Sequence, residues 1–172
     1  MSLKKDEVIT MNDKQVIYFD CFSGISGDMI LGALVNLGVD IKIIRKDLKK
    51  LNLKGYKLTS HEVKRNGIMG TKVNVIIDSS INQRSKARSF TDIKVLISKS
   101  SLSQKVKADS IEIFRRVGMV EAEIHGTSLE KIHFHEIGAI DSIVDIVGGV
   151  ICMNLLNIDL VFSSPLNTGE GL

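Results

Sequence analysis

The sequence predicts an α/β fold, in which a mixed sheet carries packed helices within a single domain. A short apolar run at residues 16–20 is typical of a buried strand, and a second such run closes the order of elements at Leu160–Ser163. Between them lie segments with apolar residues at helical spacing and one pair of strand-like segments. Strand, two helices, hairpin, three helices and strand together indicate an α/β architecture.

The first half of the chain has clear boundary signals. Ser26 stands where it can cap a helix that Gly38 ends, and a second helix is predicted over residues 41–51. Residues 56–64 and 71–78 predict two strands. Asn66-Gly67 and Gly70 lie between these strands and supply turn residues, so a hairpin is expected.

The second half is predicted to be mostly helical. Thr91 is expected to cap a short helix over residues 91–99, and Ser103 a long amphipathic one that Gly126 ends. Residues 139–157 leave no clean solvent face, which predicts a buried helix. The apolar face of the long helix is predicted to comprise Val106, Ser110, Ile113, Phe114, Val117, Val120 and Ile124.

Composition excludes several classes of function. The net charge of +3 is mild and aromatic residues are 5% with no Trp, so neither a nucleic-acid partner nor a base-stacking surface is indicated. The apolar runs are interrupted by Asp or Gly and are too short for a membrane span. The first ten residues lack the apolar core of a signal peptide, which predicts a cytoplasmic protein with no membrane partner.

The two ends of the chain are predicted to differ from its body. Residues 1–14 are interpreted as a flexible N-terminal extension or a cloning remnant, and residues 15–172 as one domain. The closing residues, SSPLNTGEGL, resemble a loop that leads to further structure. We therefore expect the N-terminal part of a longer protein or of a split pair.

Residues 133–145, HFHEIGAIDSIVD, form the most informative segment. His133 and His135 alternate about Phe134, so in an extended backbone both imidazoles could reach one metal ion, with Glu136 as a third ligand or an orienting group. The alternative interpretation is two partly exposed histidines ahead of a helix.

Two further acids follow one helical turn apart on the predicted buried helix. Asp141 and Asp145 share a narrow stripe with Gly149, and two like charges at this spacing repel each other. Burial increases that cost unless a cation answers them. They indicate a site for a metal or a cationic ligand; alternatively, one aspartate caps a helix and the other meets a basic side chain.

A second polar cluster, residues 20–28, lies where the first strand turns into the first helix. Asp20 stands at the carboxyl end of the strand, where ligands bind in open α/β sheets. A loop containing two serines and two glycines then precedes Asp28, and it could present backbone N–H groups to an anion. Asp20 and Asp28 could equally be scaffold. The residues that would contact such an anion are Ser23, Gly24, Ser26 and Gly27.

The cysteines do not suggest a disulfide framework. Cys21 could be a soft metal ligand, but small-residue packing is the more frequent role at such a position. Cys152 is predicted to lie in the core. The two polar clusters are expected to meet at one end of the sheet.

Two long runs in the right order, YFDCFSGISGDMILGAL and KIHFHEIGAIDSIVDIVG, resemble the N-terminal region of the LarC family. The likeness extends from Val16 to Gly171. The resemblance to this family implies CTP-dependent insertion of nickel into pyridinium-3,5-bisthiocarboxylic acid mononucleotide, the cofactor of lactate racemase-type enzymes. The activity is that of a cyclometallase, which places nickel between sulfur and carbon atoms.

The resemblance also implies what this chain would need. CTP with a divalent cation and homo-oligomerisation are ascribed to the family's C-terminal half, so the chain alone is expected to be inactive. The histidine-rich run common in the family is absent from DSSINQRSKA. By motif, catalytic roles would fall to Asp20, Asp28, Asp141 and Asp145, and nickel binding to His133, His135 and Glu136. Two other interpretations stay open, a metal-dependent phosphoester hydrolase and a non-catalytic assembly domain.

Overall fold

The computed structural model describes the backbone of residues 9–11 and the residues 13–78, 88–134 and 137–166. Its architecture is mixed α/β with helices packed against strands, as predicted. A one-turn 3₁₀ helix, Lys49–Leu51, follows the second α-helix. In chain order the elements are β1 Ile9–Met11, β2 Lys14–Phe19, α1 Gly27–Asn36, α2 Ile41–Leu48, β3 Tyr56–Arg65, β4 Ile68–Ile77, α3 Phe90–Ser98, α4 Gln104–Ile124, α5 Ile140–Leu155 and β5 Leu160–Ser163.

The described strands form two sheets instead of one. In the first sheet, β2 pairs in parallel with β5 and antiparallel with β1, so that sheet is mixed. Residues 9–11 and Lys14, which were predicted to be part of an N-terminal extension, thus belong to this sheet. The predicted hairpin is present as β3 and β4, with Asn66 and Gly67 at φ 48° and 84° in its turn, but it forms a sheet of its own.

The predicted cap of α3 is wrong by two residues. Ser89, not Thr91, is the cap: its hydroxyl accepts the N–H of Asp92, and the Asp92 carboxylate accepts the N–H of Ser89. This reciprocal pair satisfies two backbone donors at once. In contrast, Ser103 caps α4 as predicted, by accepting the N–H of Val106.

The predicted apolar face of α4 is only partly correct. Its buried residues are Val106, Ser110, Phe114, Gly118 and Ala122. Gly118 belongs to this side because Leu129 and Phe134 pack against it, at 2.7 Å and 3.1 Å from where a Cβ would lie. Large residues predicted for the core therefore stay outside it, among them Ile113, Val120 and Ile124.

The α5 helix lies at the centre of the core, as its nearly continuous apolar sequence predicts. It packs against α1, α2, α4 and β4. Ile143, Val144, Val147 and Cys152 are among its fully buried residues. None of the helices in the described part of the chain is long and apolar enough to cross a membrane.

The α1 helix joins the hairpin to this core. It lies directly on the backbone of β4, where a Cβ on Gly32 would overlap the carbonyl oxygen of Thr71. The Thr71 hydroxyl also donates to the side-chain carbonyl of Asn36, 3.1 Å away. Only glycine permits this approach, because backbone atoms cannot move aside as a flexible side chain can.

We expect Gly32→Ala to destabilise the chain by about 1–3 kcal/mol through overpacking, which would lower the melting temperature by several degrees. Gly149→Ala in α5 is the matched control, since its nearest neighbour, the Ile30 side chain, is 3.9 Å from the added Cβ. Alanine favours a helix by up to ~1 kcal/mol over glycine, so the control should be neutral or stabilising. Equal melting curves for the two variants would contradict the close contact.

Candidate functional site

The two polar clusters come into contact through Gly27 and Asp145, where α1 begins against the middle of α5. The placement of His133, His135 and Glu136 at this junction stays a prediction. The Asp145 side chain lies directly over Gly27, and a Cβ on Gly27 would be 2.5 Å from the Cβ of Asp145 and 2.6 Å from its Oδ2. No larger residue fits at position 27 without displacing this aspartate. The glycine therefore sets how closely a carboxylate approaches the N-terminus of α1.

Turn hydrogen bonds shape the loop between β2 and α1. Asp20 follows the last residue of β2 and is exposed. The Cys21 N–H donates to the Ser164 hydroxyl at 2.7 Å, and the Gly24 N–H donates to the Cys21 carbonyl at 2.9 Å. Gly24 has a φ of +84°, which favours glycine at the turn. These contacts bring the carboxyl ends of β2 and β5 together beside α1.

The first turn of α1 is not capped in the expected way. Ser26 occupies the N-cap position, but its side chain makes no capping bond. Its hydroxyl donates instead to the Asp28 carboxylate, which also accepts the N–H of Met29 at 3.0 Å. The side chain of Ser26 is therefore hydrogen-bonded to Asp28 and not to the backbone N–H groups of the first helical turn.

Asp145 is the most electrostatically strained group at this junction. Its Oδ1 is buried and has no hydrogen-bond partner in the described part of the chain. Burial, followed by repulsion from Asp28 and Asp141, raises the pKa of Asp145 from 3.8 to about 7. No basic side chain among residues 13–78, 88–134 and 137–166 pairs with it, so those residues do not supply the basic partner that the structural alternative requires.

The other aspartate of the pair does not cap α5 either. Ala139 is the N-cap residue and makes no side-chain bond. Asp141 lies exposed in the first turn, where its Oδ1 accepts the N–H of Ser142 at 2.9 Å and its charge favours the helix dipole. Its charge also reaches Asp145, one turn further along.

His133 lies beside the start of α3. Its backbone pairs with Ser89, and the Phe134 N–H donates to the Arg88 carbonyl at 3.1 Å. Hydrogen bonds from Ser89 lower the pKa of Asp92, and the nearby His133 and Arg88 lower it further. His133 thus already has an acidic neighbour outside the predicted ligand set.

The predicted ligand set stays a prediction. His135 and Glu136 lie outside the described residues. Within the described ranges, no three His, Cys, Asp or Glu side chains come close enough to hold a metal ion together. The Cys21 thiol is buried and donates to the Phe19 carbonyl at 3.5 Å, which fits packing better than ligation. Burial raises the pKa of Cys152 to about 12, in keeping with its core position.

Two residues that shape the site were not included among the predicted site residues. The Arg88 guanidinium donates to the Gly138 carbonyl at 2.8 Å and so ties the start of α3 to the segment before α5. Ser164 holds the loop after β2 through Cys21. Its place at the carboxyl end of a strand paired with β2 was a usable signal, whereas nothing local in the sequence marked Arg88.

A family profile described as nickel insertion protein matches residues 17–172 of this chain. The chain belongs to that family. This membership confirms the resemblance noted from the sequence, and the match includes every residue that was assigned to the site.

Curated relatives carry the name pyridinium-3,5-bisthiocarboxylic acid mononucleotide nickel insertion protein. The protein of Acetivibrio thermocellus is 46% identical over 162 residues, covering 91% of this chain and 40% of that protein. The proteins of Desulfitobacterium hafniense and Geobacillus kaustophilus are 48% and 47% identical, covering 90% and 91% of this chain but 37% and 40% of their own lengths. This chain therefore spans about two fifths of these relatives. No solved structure matches it.

The raised pKa of Asp145 predicts a pH-dependent stability. The folded chain binds this proton more tightly than the unfolded chain does. The stabilisation that the folded chain gains from the proton on Asp145 is therefore fully present below about pH 4 and is lost as the pH rises towards 7. Asp145→Asn cannot ionise, so its melting temperature relative to the parent chain should increase across this range. Because the group is partly exposed, we expect a gain of about 1 kcal/mol, or roughly 2–4 °C.

Melting curves at pH 4.5, 6 and 7.5 test this expectation. Asp109→Asn is the control, since Asp109 is an exposed aspartate on α4 in an ion pair with Lys105. The difference in melting temperature between Asp109→Asn and the parent chain should not increase with pH. An Asp145→Asn variant that is less stable than the parent at pH 7.5 would mean that the carboxylate has a cationic partner.

Proposed function

We propose that this chain is the N-terminal part of an enzyme that inserts nickel into pyridinium-3,5-bisthiocarboxylic acid mononucleotide. The names of the relatives support the substrate and the metal. The observation that carries the assignment of the site is the Asp145 carboxylate, which lies over Gly27 next to two more acids and whose buried Oδ1 has no hydrogen-bond partner among the described residues.

Nickel, the inorganic substrate, would be held by oxygen and nitrogen ligands. Asp145, with Asp28 and Asp141 close by, presents negative charge that a divalent cation would neutralise. The imidazoles of His133 and His135 and the carboxylate of Glu136 are also ligands that nickel accepts. Such ligands suit an ion that must be passed on, because a set of thiolates would retain it more tightly.

Asp145 would also serve the insertion step. Formation of a nickel–carbon bond displaces a proton from a ring carbon, so a base must accept that proton. A general base works best with a pKa near the operating pH, and without nickel the pKa of Asp145 is about 7, so Asp145 would accept the proton after nickel has passed from it to the organic substrate. Asp28 and Asp141 would act through Asp145, since their charges help to raise its pKa.

The organic substrate carries a phosphate, for which the start of α1 is the proposed subsite. Ser23, Gly24, Ser26 and Gly27 border a helix N-terminus at which the Ser26 side chain makes no capping bond, and backbone N–H groups at a helix N-terminus favour an anion. Asp20, exposed at the end of β2, would face the same space.

The activity of the whole protein would need more than this chain. We assign binding of CTP with a divalent cation, and homo-oligomerisation, to the part of the relatives that this chain does not span, whether joined to it or supplied as a partner chain. The chain by itself would then bind nickel without completing insertion.

Nickel binding can be measured by titration calorimetry. We expect the His133→Ala, His135→Ala double variant to lose most of the binding heat, and Asp145→Asn to weaken binding by at least about tenfold, as for loss of a charged ligand. Affinity should fall below about pH 6.5, where protons compete for the imidazoles. His61→Ala, which removes an exposed histidine from β3, is the control. Unchanged binding in both site variants would reject the proposed ligands.

Insertion is followed by mass spectrometry of the mononucleotide after incubation with nickel, CTP and magnesium. We expect no nickel adduct with this chain alone, and an adduct once the remaining part of the protein is supplied. If this chain instead released phosphate from a phosphoester without forming the adduct, it would be a hydrolase.

A further inference from the structure

One side of α4 carries an apolar stripe that the core does not cover. It consists of Ile113, Val117, Val120 and Ile124, here called the α4 stripe. Ile113 is 38% exposed, Val120 58% and Ile124 76%, while Val117 is partly buried. The residues that α4 buries, such as Phe114 and Gly118, lie on the adjoining side, so the stripe is not needed to close the core.

The spacing within the α4 stripe is symmetric. Its members stand four, three and four residues apart, and the outer pair is isoleucine while the inner pair is valine. Spacing of four and three is the alternation by which paired helices interlock their side chains. Because the pattern is the same in both chain directions, two copies can pack antiparallel with Ile113 against Ile124 and Val117 against Val120.

The charges flanking the stripe fit the same arrangement. Arg116 and Glu123 lie along its outer edge, seven residues apart and therefore on one side of the helix. In an antiparallel pair each Arg116 meets Glu123 of the other copy, which gives two attractive contacts. Within one chain Arg116 already contacts Glu112 at 2.9 Å, but that ion pair is exposed and contributes little to stability.

We propose that the α4 stripe is a self-association surface, at which a second copy of this chain packs antiparallel around a two-fold axis. Isologous contacts of this kind are self-complementary, as the stripe and its flanking charges are. Four side chains bury less than the ~800 Å² per partner of a stable interface, so the dimer is weak and concentration-dependent. The proposal is independent of the nickel chemistry, and this contact is additional to the homo-oligomerisation that we assign to the rest of the protein.

Sedimentation equilibrium of the full chain and two charge-reversal variants tests the proposal. Arg116→Glu places acids at both flanking positions of each copy and Glu123→Arg places basic residues there. Each variant alone should therefore dimerise roughly tenfold more weakly than the parent. Mixed in equal amounts, they restore both attractive contacts, and the mixture should dimerise about as well as the parent.

Lys105→Glu is the matched control, because Lys105 is also an exposed base in an i,i+4 ion pair on α4 but lies before the stripe. It should leave dimerisation unchanged. Val120→Asp should abolish dimerisation while circular dichroism still shows folded chains. A parent chain that stays monomeric at every concentration would overturn the proposal, as would a mixture that dimerises no better than its components.

Discussion

The α1 helix lies closer to its neighbours than residues with a Cβ at positions 27 and 32 would allow. Gly32 allows the helix to lie on the backbone of β4, and Gly27 allows its first turn to lie under Asp145 of α5. A side chain at either position would push α1 outward. The hairpin, the buried helix and the polar loop after β2 therefore keep their relative positions because two glycines on one helix have no Cβ.

That approach also explains the electrostatics of the site. Burial of a carboxylate is costly, and two more acids, Asp28 and Asp141, stand close to Asp145 and add repulsion to that cost. Asp28 accepts hydrogen bonds from the Ser26 hydroxyl and the Met29 N–H, whereas one buried oxygen of Asp145 has no partner in the part of the chain that the structure describes. Stability is thus lower at the place where the proposed function needs charge, a frequent pattern at active sites.

Most elements could be predicted from the sequence because their signals are local. The hairpin turn at Asn66-Gly67, the Ser103 cap and the apolar composition of α5 each act within a few residues. The buried face of α4 could not be predicted in this way, since Gly118 is buried only because Leu129 and Phe134 fold back onto it. In the same way, the spacing of Asp141 and Asp145 indicated that burial of Asp145 costs free energy. The contact of Asp145 with Gly27 could not be predicted, because it depends on tertiary packing. Arg88, which ties α3 to Gly138, had no local signal either.

The position of the acids at the start of α1 determines which of the two proposed ligands, nickel or the mononucleotide, would bind first. The free N–H groups at the start of α1 would attract the phosphate of the mononucleotide, but Asp28 and Asp145 stand at that helix end and would repel it. The conflict disappears once a divalent cation lies against the carboxylates, because the cation neutralises them and attracts the phosphate in turn. Under the proposed function, nickel would therefore bind before the organic substrate. Affinity for the mononucleotide should then depend on the metal in the parent chain and much less so in Asp145→Asn, where one of the repelling charges is gone.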